Sequence, residues 1–225
     1  MSLIVYQHPL SSYCHKVLIG LYENDTPFER RMVDLSSERG RAEFRAVWPA
    51  GKMPVLRDER RDVTLPETSI ILEHLDRHYP GPTRLIPGDA DRALQVRLWD
   101  RIFDLHIHMH MQKIVGDLIR PEGERDPHGV ADAMDRMRTG YDLVERQLGS
   151  KTWITGEEFT MADCSAAPAL FYAAMAVPFE DRPRLTAYHD RLLARPTYAR
   201  VLEEARPFFV YYPLKERLPR RFRDS

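Results

Sequence analysis

The sequence is poor in cysteine, and this scarcity excludes two classes of protein. Only Cys14 and Cys164 occur among the 225 residues. Two cysteines cannot make the disulfide framework of a small secreted domain, and neither belongs to the paired spacing of a zinc site. We therefore expect two reduced thiols, no bound metal and a cytoplasmic protein.

Long apolar runs and an excess of charge are also missing. No stretch approaches the ~18 apolar residues of a membrane-spanning helix, and the first residues lack the basic flank and cleavage site of a signal peptide. The formal net charge is −1, which favours neither nucleic acid nor an anionic membrane as a partner. The basic stretch 213–225 is predicted to be a solvated tail, with a lid or contact role as the alternative.

Strand and helix patterns alternate over the first 80 residues. An apolar run at 2–6 predicts a buried strand, and apolar residues from Cys14 to Leu21 recur at the spacing of one helical stripe. Further strand or helix patterns follow up to Tyr79. This order is typical of an α/β domain.

A stretch rich in proline and glycine, 81–90, interrupts this alternation. After it no strand pattern occurs, and long helical patterns fill the rest of the chain. We predict an α/β domain at 1–80, a linker at 81–90 and an all-α domain at 91–225.

The junction between the first strand and the first helix, "SSYC", carries four reactive residue types. A helix N-terminus presents unpaired N–H groups and a partial positive charge, which favour an anion such as a thiolate. Cys14 shares the apolar stripe, so we expect a buried thiol, with a redox-active thiol as the alternative. Ser11 and Ser12 precede the stripe and can face solvent, either as plain N-caps or as donors to an anion.

Two later stretches are also candidates for ligand binding. Pro54 stands at the entry to a strand of central character, where it cannot donate a ladder hydrogen bond. A cis Met53–Pro54 bond would explain it and would expose the backbone of Met53. Glu67 and Thr68 begin a helix whose free N–H groups offer a second anion site.

In order and spacing, "SSYCHKV", "PAGKMPVL", "ETSIILEHL" and "FTMADCSAAP" resemble the cytosolic glutathione transferases over nearly the whole chain. The resemblance implies an α/β thioredoxin-like N-terminal domain with a mixed four-stranded sheet, followed by an all-α helical bundle. The family members that the chain resembles are of the serine type, either theta-like or zeta-like. It also implies a homodimer.

The resemblance assigns roles to these residues. Ser11, with Ser12 as the neighbouring candidate, would donate a hydrogen bond to the sulfur of glutathione and favour its thiolate. Redox-active relatives have cysteine where Ser11 stands, which counts against dithiol chemistry. The other glutathione-binding residues would be Lys52 at the glycine carboxylate, Met53 and Pro54 at the cysteinyl part, and Glu67 and Thr68 at the γ-glutamyl end.

The first helix of the C-terminal domain carries a run of histidines, "HIHMH". His106 and His110 are predicted to share a face with Phe103 and Ile114, while His108 points elsewhere. They could be core histidines, two ligands of a metal site that lacks a third, or part of the wall of an acceptor site between the domains. The candidates for that acceptor site are Tyr13, His106, His110, Gln112 and Lys113.

The sequence therefore predicts a glutathione transferase that uses glutathione as co-substrate to attack a small electrophile. A glutathione-dependent isomerase, dehalogenase or disulfide reductase, and a non-catalytic binding protein, remain as alternatives. A further motif, "TMAD" at 160–163, has the pattern of a capping box and is predicted to be structural.

Overall fold

The computed structural model describes residues 2–223. The chain divides between Leu85 and Ile86 into two compact units. The first unit combines a sheet with helices, and the second is mostly helical. The sequence predicted an α/β class for the first part of the chain and an all-α class for the second, and both are confirmed.

The first unit is built on a mixed four-stranded sheet with the order β2-β1-β3-β4. Strand β2 runs parallel to β1, whereas β3 and β4 are each antiparallel to their neighbour. The early apolar run forms β1, whose central position explains why its residues are almost all buried. The strands are β1 (Leu3–Gln7), β2 (Glu29–Met32), β3 (Val55–Asp58) and β4 (Val63–Leu65).

Three helices complete this unit: α1 (Ser12–Glu23), α2 (Glu38–Val47) and α3 (Thr68–His78). The single apolar stripe predicted for α1 is too narrow, because this helix is buried on nearly every side. Even Lys16 is fully buried, and its Nζ donates to Ser69 Oγ of α3 at 3.1 Å. Gly20 packs so closely on Leu72 of α3 that a Cβ would lie 2.3 Å from Leu72 Cδ2.

The described part of the second unit, up to residue 223, contains six α-helices and a π-helical segment. None of the helices among residues 2–223 is long and apolar enough to cross a membrane. The elements are α4 (Ala90–Ile102), the π-helical segment (Phe103–His108), α5 (Met109–Leu118), α6 (Pro127–Leu148), α7 (Met161–Ala176), α8 (Pro183–Ala194) and α9 (Pro196–Ala205).

The π-helical segment corrects the face predicted for the histidines. Phe103 and Ile114 are buried whereas His106 is exposed, so these residues do not share one face. His108, which was expected to point away from that face, is fully buried. The reason is the i→i+5 bonding of a π-helix, which adds a residue to the turn and rotates the side chains out of regular α-helical phase. Helix α6 packs closely here, since a Cβ on Gly140 would lie 2.8 Å from the carbonyl oxygen of His106.

The predicted capping box at the start of α7 is confirmed. The Asp163 carboxylate accepts hydrogen bonds from the N–H of Thr160 at 2.8 Å and from its hydroxyl at 3.0 Å. It also accepts from the N–H of Ile154 at 3.1 Å and the hydroxyl of Tyr188 at 2.6 Å. Asp163 thus joins the start of α7 to the preceding loop and to α8.

The prediction of a solvated basic tail is wrong for the described part of 213–225. Leu218 and Phe222 are buried, and the ring of Phe222 packs against Phe171 and Phe209. The arginines of the stretch stay at the surface while these apolar side chains enter the core, which the net charge of the stretch did not indicate. Its last two residues lie outside the described chain.

Candidate active site

The register of the strands brings three loops to one edge of the sheet. Tyr6 near the end of β1 pairs with Val55 at the start of β3, and Leu65 at the end of β4 pairs with Leu56. Because both pairings are antiparallel, the loops after β1, before β3 and after β4 leave the sheet at the same edge. All the ligand-binding residues predicted in the first unit lie on or beside these loops: Ser11, Ser12, Lys52, Met53, Pro54, Glu67 and Thr68.

Ser11 is the N-cap of α1, as its position before the apolar stripe suggested. Its Oγ accepts a hydrogen bond from the N–H of Cys14 at 3.4 Å, and its own N–H donates to the carbonyl of His8 at 2.9 Å. The residue is half-buried. Its hydroxyl is therefore at the positive end of the helix and open to a ligand.

Ser12 differs from its neighbour, and the expectation that it can face solvent is wrong. Only 2% of Ser12 is exposed. The cause is the packing of α1, since Ser12, Lys16 and Gly20 recur at i, i+4 and i+8, on the side that meets α3.

Cys14 is fully buried behind Ser11. Burial raises the pKa of its thiol to about 12, although hydrogen bonds with Ser11 and with the backbone of His8 act in the opposite direction. The thiol is therefore neutral near pH 7 and has no access to a ligand. The expectation of a buried thiol is confirmed, and Cys164 is likewise buried and in no disulfide bond within the described chain.

The loop before β3 contains the predicted cis bond between Met53 and Pro54. The Met53 side chain packs against the apolar cluster of Val33, Phe44 and Val55. Its backbone groups make no hydrogen bond to the rest of the described chain. They are therefore available to pair with an extended ligand.

Lys52, the residue before Met53, is exposed. Within residues 2–223, no carboxylate lies within ion-pair distance of its ammonium group. A free cation beside an available backbone suits a ligand that carries a carboxylate.

Glu67 occupies the N-cap position of α3 in an unusual conformation. Its φ of 65° and ψ of 114° lie in a region that residues other than glycine rarely adopt, at a cost of about 1–3 kcal/mol. Its side chain does not cap the helix and is exposed, with no partner in the described chain. The carboxylate and the first N–H groups of α3 thus offer an anion and donors side by side, while Thr68 begins the helix and is buried.

Two residues of α1 for which the sequence predicted no role also lie beside this site. Lys16 joins α1 to the first turn of α3 through Ser69. His15 is fully buried, and its Nε2 lies 2.6 Å from the carbonyl oxygen of Pro9, in the loop before Ser11. Only their polarity inside an otherwise apolar helix could have drawn attention to them.

The five acceptor-site candidates have different surroundings. Tyr13 is half-buried in the first turn of α1. His106 and Gln112 are exposed, and His110 is half-buried. The pKa of His110 is lowered by burial first, then by Arg136 and by the neighbouring His106.

Lys113 forms an ion pair with Asp126 at 2.6 Å. An anion that approached Lys113 would therefore compete with a carboxylate already in place. Within the described chain, no cluster of three or more candidate ligands could hold a metal ion.

Comparison with known proteins places these features in one family. Residues 5–83 match the model of the glutathione S-transferase N-terminal domain, and residues 127–191 match that of the C-terminal domain. The chain is 32% identical to the glutathione S-transferase-like protein LUC7 of a Fusarium species, over 71% of this chain and 70% of the relative. It is 26% identical to the glutathione S-transferase GstB of Escherichia coli K12, over 85% of this chain and 93% of the relative.

Solved structures agree with this result. The human glutathione S-transferase T1-1, in its apo form, superposes with a TM-score of 0.80 at 26% identity, over 96% of this chain and 95% of the human one. The chain belongs to the glutathione S-transferase family, and it is a glutathione transferase. The family predicted from the sequence is confirmed, whereas the theta-like or zeta-like subtype remains a prediction.

Proposed function

We propose that this transferase ionises the thiol of glutathione, its co-substrate, beside Ser11 and directs the thiolate at a small electrophile. The observation that carries the proposal is the position of Ser11, a half-buried hydroxyl at the N-terminus of α1. Ser12 is buried against the side of α1 that meets α3, which favours Ser11 as the donor to the sulfur. Serine acts here as a hydrogen-bond donor and not as a nucleophile, so it needs no neighbouring base.

The energy that this role requires is modest. Lowering the pKa of a bound thiol by about 2 units takes about 2.7 kcal/mol of preference for the thiolate. One hydrogen bond to a charged acceptor contributes about 1.5–3 kcal/mol, and the helix N-terminus adds about 0.3–1 kcal/mol. Ser11 and the start of α1 are therefore sufficient without a metal or a base.

The other groups at this edge of the sheet complement the remainder of glutathione. The exposed ammonium of Lys52 suits the glycine carboxylate, and the backbone of Met53, which is unpaired within residues 2–223, suits the cysteinyl amide. Glutathione has both an amine and a carboxylate at its γ-glutamyl end. The exposed carboxylate of Glu67 and the N–H groups at Thr68 match these two charges.

Conjugation fits the site better than thiol–disulfide chemistry does. A serine stands at the helix start, and the thiol of Cys14 is buried with a pKa of about 12. A mixed disulfide needs an accessible thiolate, and Cys14 does not provide one. Candidates for binding the acceptor are proposed for each unit separately: Tyr13 in the first, and His106, His110, Gln112 and Lys113 in the second.

A glutathione titration of the wild-type protein tests the proposal. Thiolate absorbance in the ultraviolet, followed between pH 5 and pH 10, is expected to show bound glutathione ionising about 2 units below free glutathione. S-Methylglutathione, which has no thiol, is the control and should bind without this absorbance. If neither ligand binds, the protein has no glutathione site and is a non-catalytic member of the family. If glutathione binds but does not ionise, the role of Ser11 is wrong.

We also propose that the protein is a homodimer, as the family resemblance implies. The second unit exposes four large apolar side chains near the π-helical segment: Leu94, Leu98, Leu105 and Met109. Leu94 and Leu98 are four residues apart, which places them near one side of α4, and exposed apolar surface of this kind marks interfaces. Light scattering at micromolar concentration should give twice the mass of one chain, and Leu98→Lys should shift it towards the monomer. A wild-type monomer at that concentration would refute the dimer.

A further inference from the structure

The loop that presents Ser11 is held by side chains as well as by its own backbone. Residues 8–11 connect β1 to α1, and Pro9 in this loop has no N–H to donate. The N–H of Leu10 donates to His8 Nδ1 at 3.2 Å, and the N–H of Ser11 donates to the carbonyl of His8 at 2.9 Å. These bonds are local to the loop and do not connect it to the body of α1.

His15 supplies such a connection, in addition to the hydrogen bond between the Cys14 thiol and the backbone of His8. Its Nε2 lies 2.6 Å from the carbonyl oxygen of Pro9, and its backbone N–H donates to the carbonyl of Ser11 at 3.1 Å. A carbonyl can only accept, so the proton of this side-chain bond must be on Nε2 of the imidazole. One residue of α1 therefore holds the chain on both sides of Leu10, immediately before the Ser11 hydroxyl.

The imidazole is itself rigidly placed. His15 is fully buried, and so are its neighbours Cys14 and Val17 on the helix. A side chain packed in such surroundings sits in a defined rotamer on average, so it transmits the position of the helix to the loop. A hydrogen bond that must meet a developing charge loses much of its effect when its donor is displaced by about 1 Å.

We propose that His15 is a positioning residue for Ser11, because its Nε2–H fixes the Pro9 carbonyl and thereby holds the loop that aims the Ser11 hydroxyl. The inference rests on the proposed role of Ser11 and adds to it. Helix capping acts on Ser11 and the Cys14 thiol acts on the backbone of His8, and neither holds the Pro9 carbonyl. The side-chain bond from His15 holds it.

Substitutions that keep or remove the donor at the Nε2 position test the inference. His15→Leu removes it, His15→Asn keeps a polar group that is too short to reach Pro9, and His15→Gln places an amide N–H where Nε2 was. In His15→Leu and His15→Asn we expect the pKa of bound glutathione to rise by about one unit and kcat to fall about tenfold. The KM for glutathione should change less than about threefold, because the groups that bind its ends are untouched. His15→Gln should keep most of the wild-type behaviour, and His78→Leu in α3 is the control for loss of a histidine.

The outcomes separate this inference from the proposed function. If wild-type protein does not ionise glutathione, the role of Ser11 fails first. Suppose instead that wild-type protein ionises glutathione. If folded His15→Leu or His15→Asn then ionises glutathione with the same pKa as wild type, only the role of His15 is wrong. Should these variants not fold, nitrogen shifts of the wild-type imidazole decide the question. Protonation at Nε2, with and without glutathione, is expected, and an unprotonated Nε2 would overturn the inference.

Discussion

Ser11→Ala is expected to lower kcat/KM for conjugation by about 100-fold, the equivalent of ~2.7 kcal/mol of lost transition-state stabilisation. The physical reason is the loss of the hydroxyl that favours the thiolate at the start of α1. The pKa of bound glutathione should return most of the way to that of free glutathione. Rates should therefore recover at high pH, where the thiol ionises without help. Stopped-flow thiolate absorbance and a pH–rate profile measure both effects.

Ser11 also caps α1, so a second substitution must separate capping from catalysis. Replacing an N-cap serine with alanine costs about 1 kcal/mol of stability, whereas glycine costs only a few tenths. Ser11→Gly should therefore preserve the thermal midpoint and still lose the activity. Ser12→Ala is the matched control, since its hydroxyl is buried beside α3. If Ser11→Gly kept the activity, or if only Ser12→Ala lost it, the hydrogen bond to the glutathione sulfur would come from a group other than Ser11.

Asp163→Ala is expected to destabilise the second unit by about 4 kcal/mol, because it leaves several buried donors without an acceptor. These donors are the N–H groups of Ile154 and Thr160 and the hydroxyl of Tyr188. Burial raises the pKa of Asp163, even though its hydrogen bonds favour the carboxylate. A loss of this size should lower the thermal midpoint by about 10 °C in calorimetry.

Two further variants test whether the cause is the buried network. Asp163→Asn keeps the size and one acceptor oxygen, so it should lose about half as much stability as Asp163→Ala. Asp132→Ala removes an exposed partner of Arg136 on α6 and should cost less than about 0.5 kcal/mol. If Asp163→Ala were as stable as Asp132→Ala, the capping box would contribute nothing measurable to the fold.

Much of the fold could be predicted because its signals are local. The apolar run of β1, the helical spacing from Cys14 and the capping box at Thr160 each depend on residues within a few positions of one another. The α/β order and the helical second unit followed from these patterns. The cis bond at Pro54 was predictable for the same reason, since a proline at a strand entry already conflicts with regular pairing.

The errors have long-range or geometric causes. Phe222 is buried in the core although its neighbours in the sequence are basic. Each side chain is buried or exposed individually, so the arginines beside Phe222 stay in solvent. The π-helical segment put His106 and Phe103 on different faces, and its extra residue per turn leaves no mark in a pattern of apolar positions.

The sequence by itself determined the family, the order of strands and helices, and the placement of Ser11 at the start of α1, since capping and periodicity act over one helical turn. Only the tertiary structure decided that Ser12 is covered and that His15 holds the Ser11 loop. The covering of Ser12 depends on the packing of α1 against α3, which is marked by the bond between Lys16 and Ser69, 53 residues apart. The Pro9–His15 bond depends on the angle at which the chain enters α1, which residue types alone do not specify.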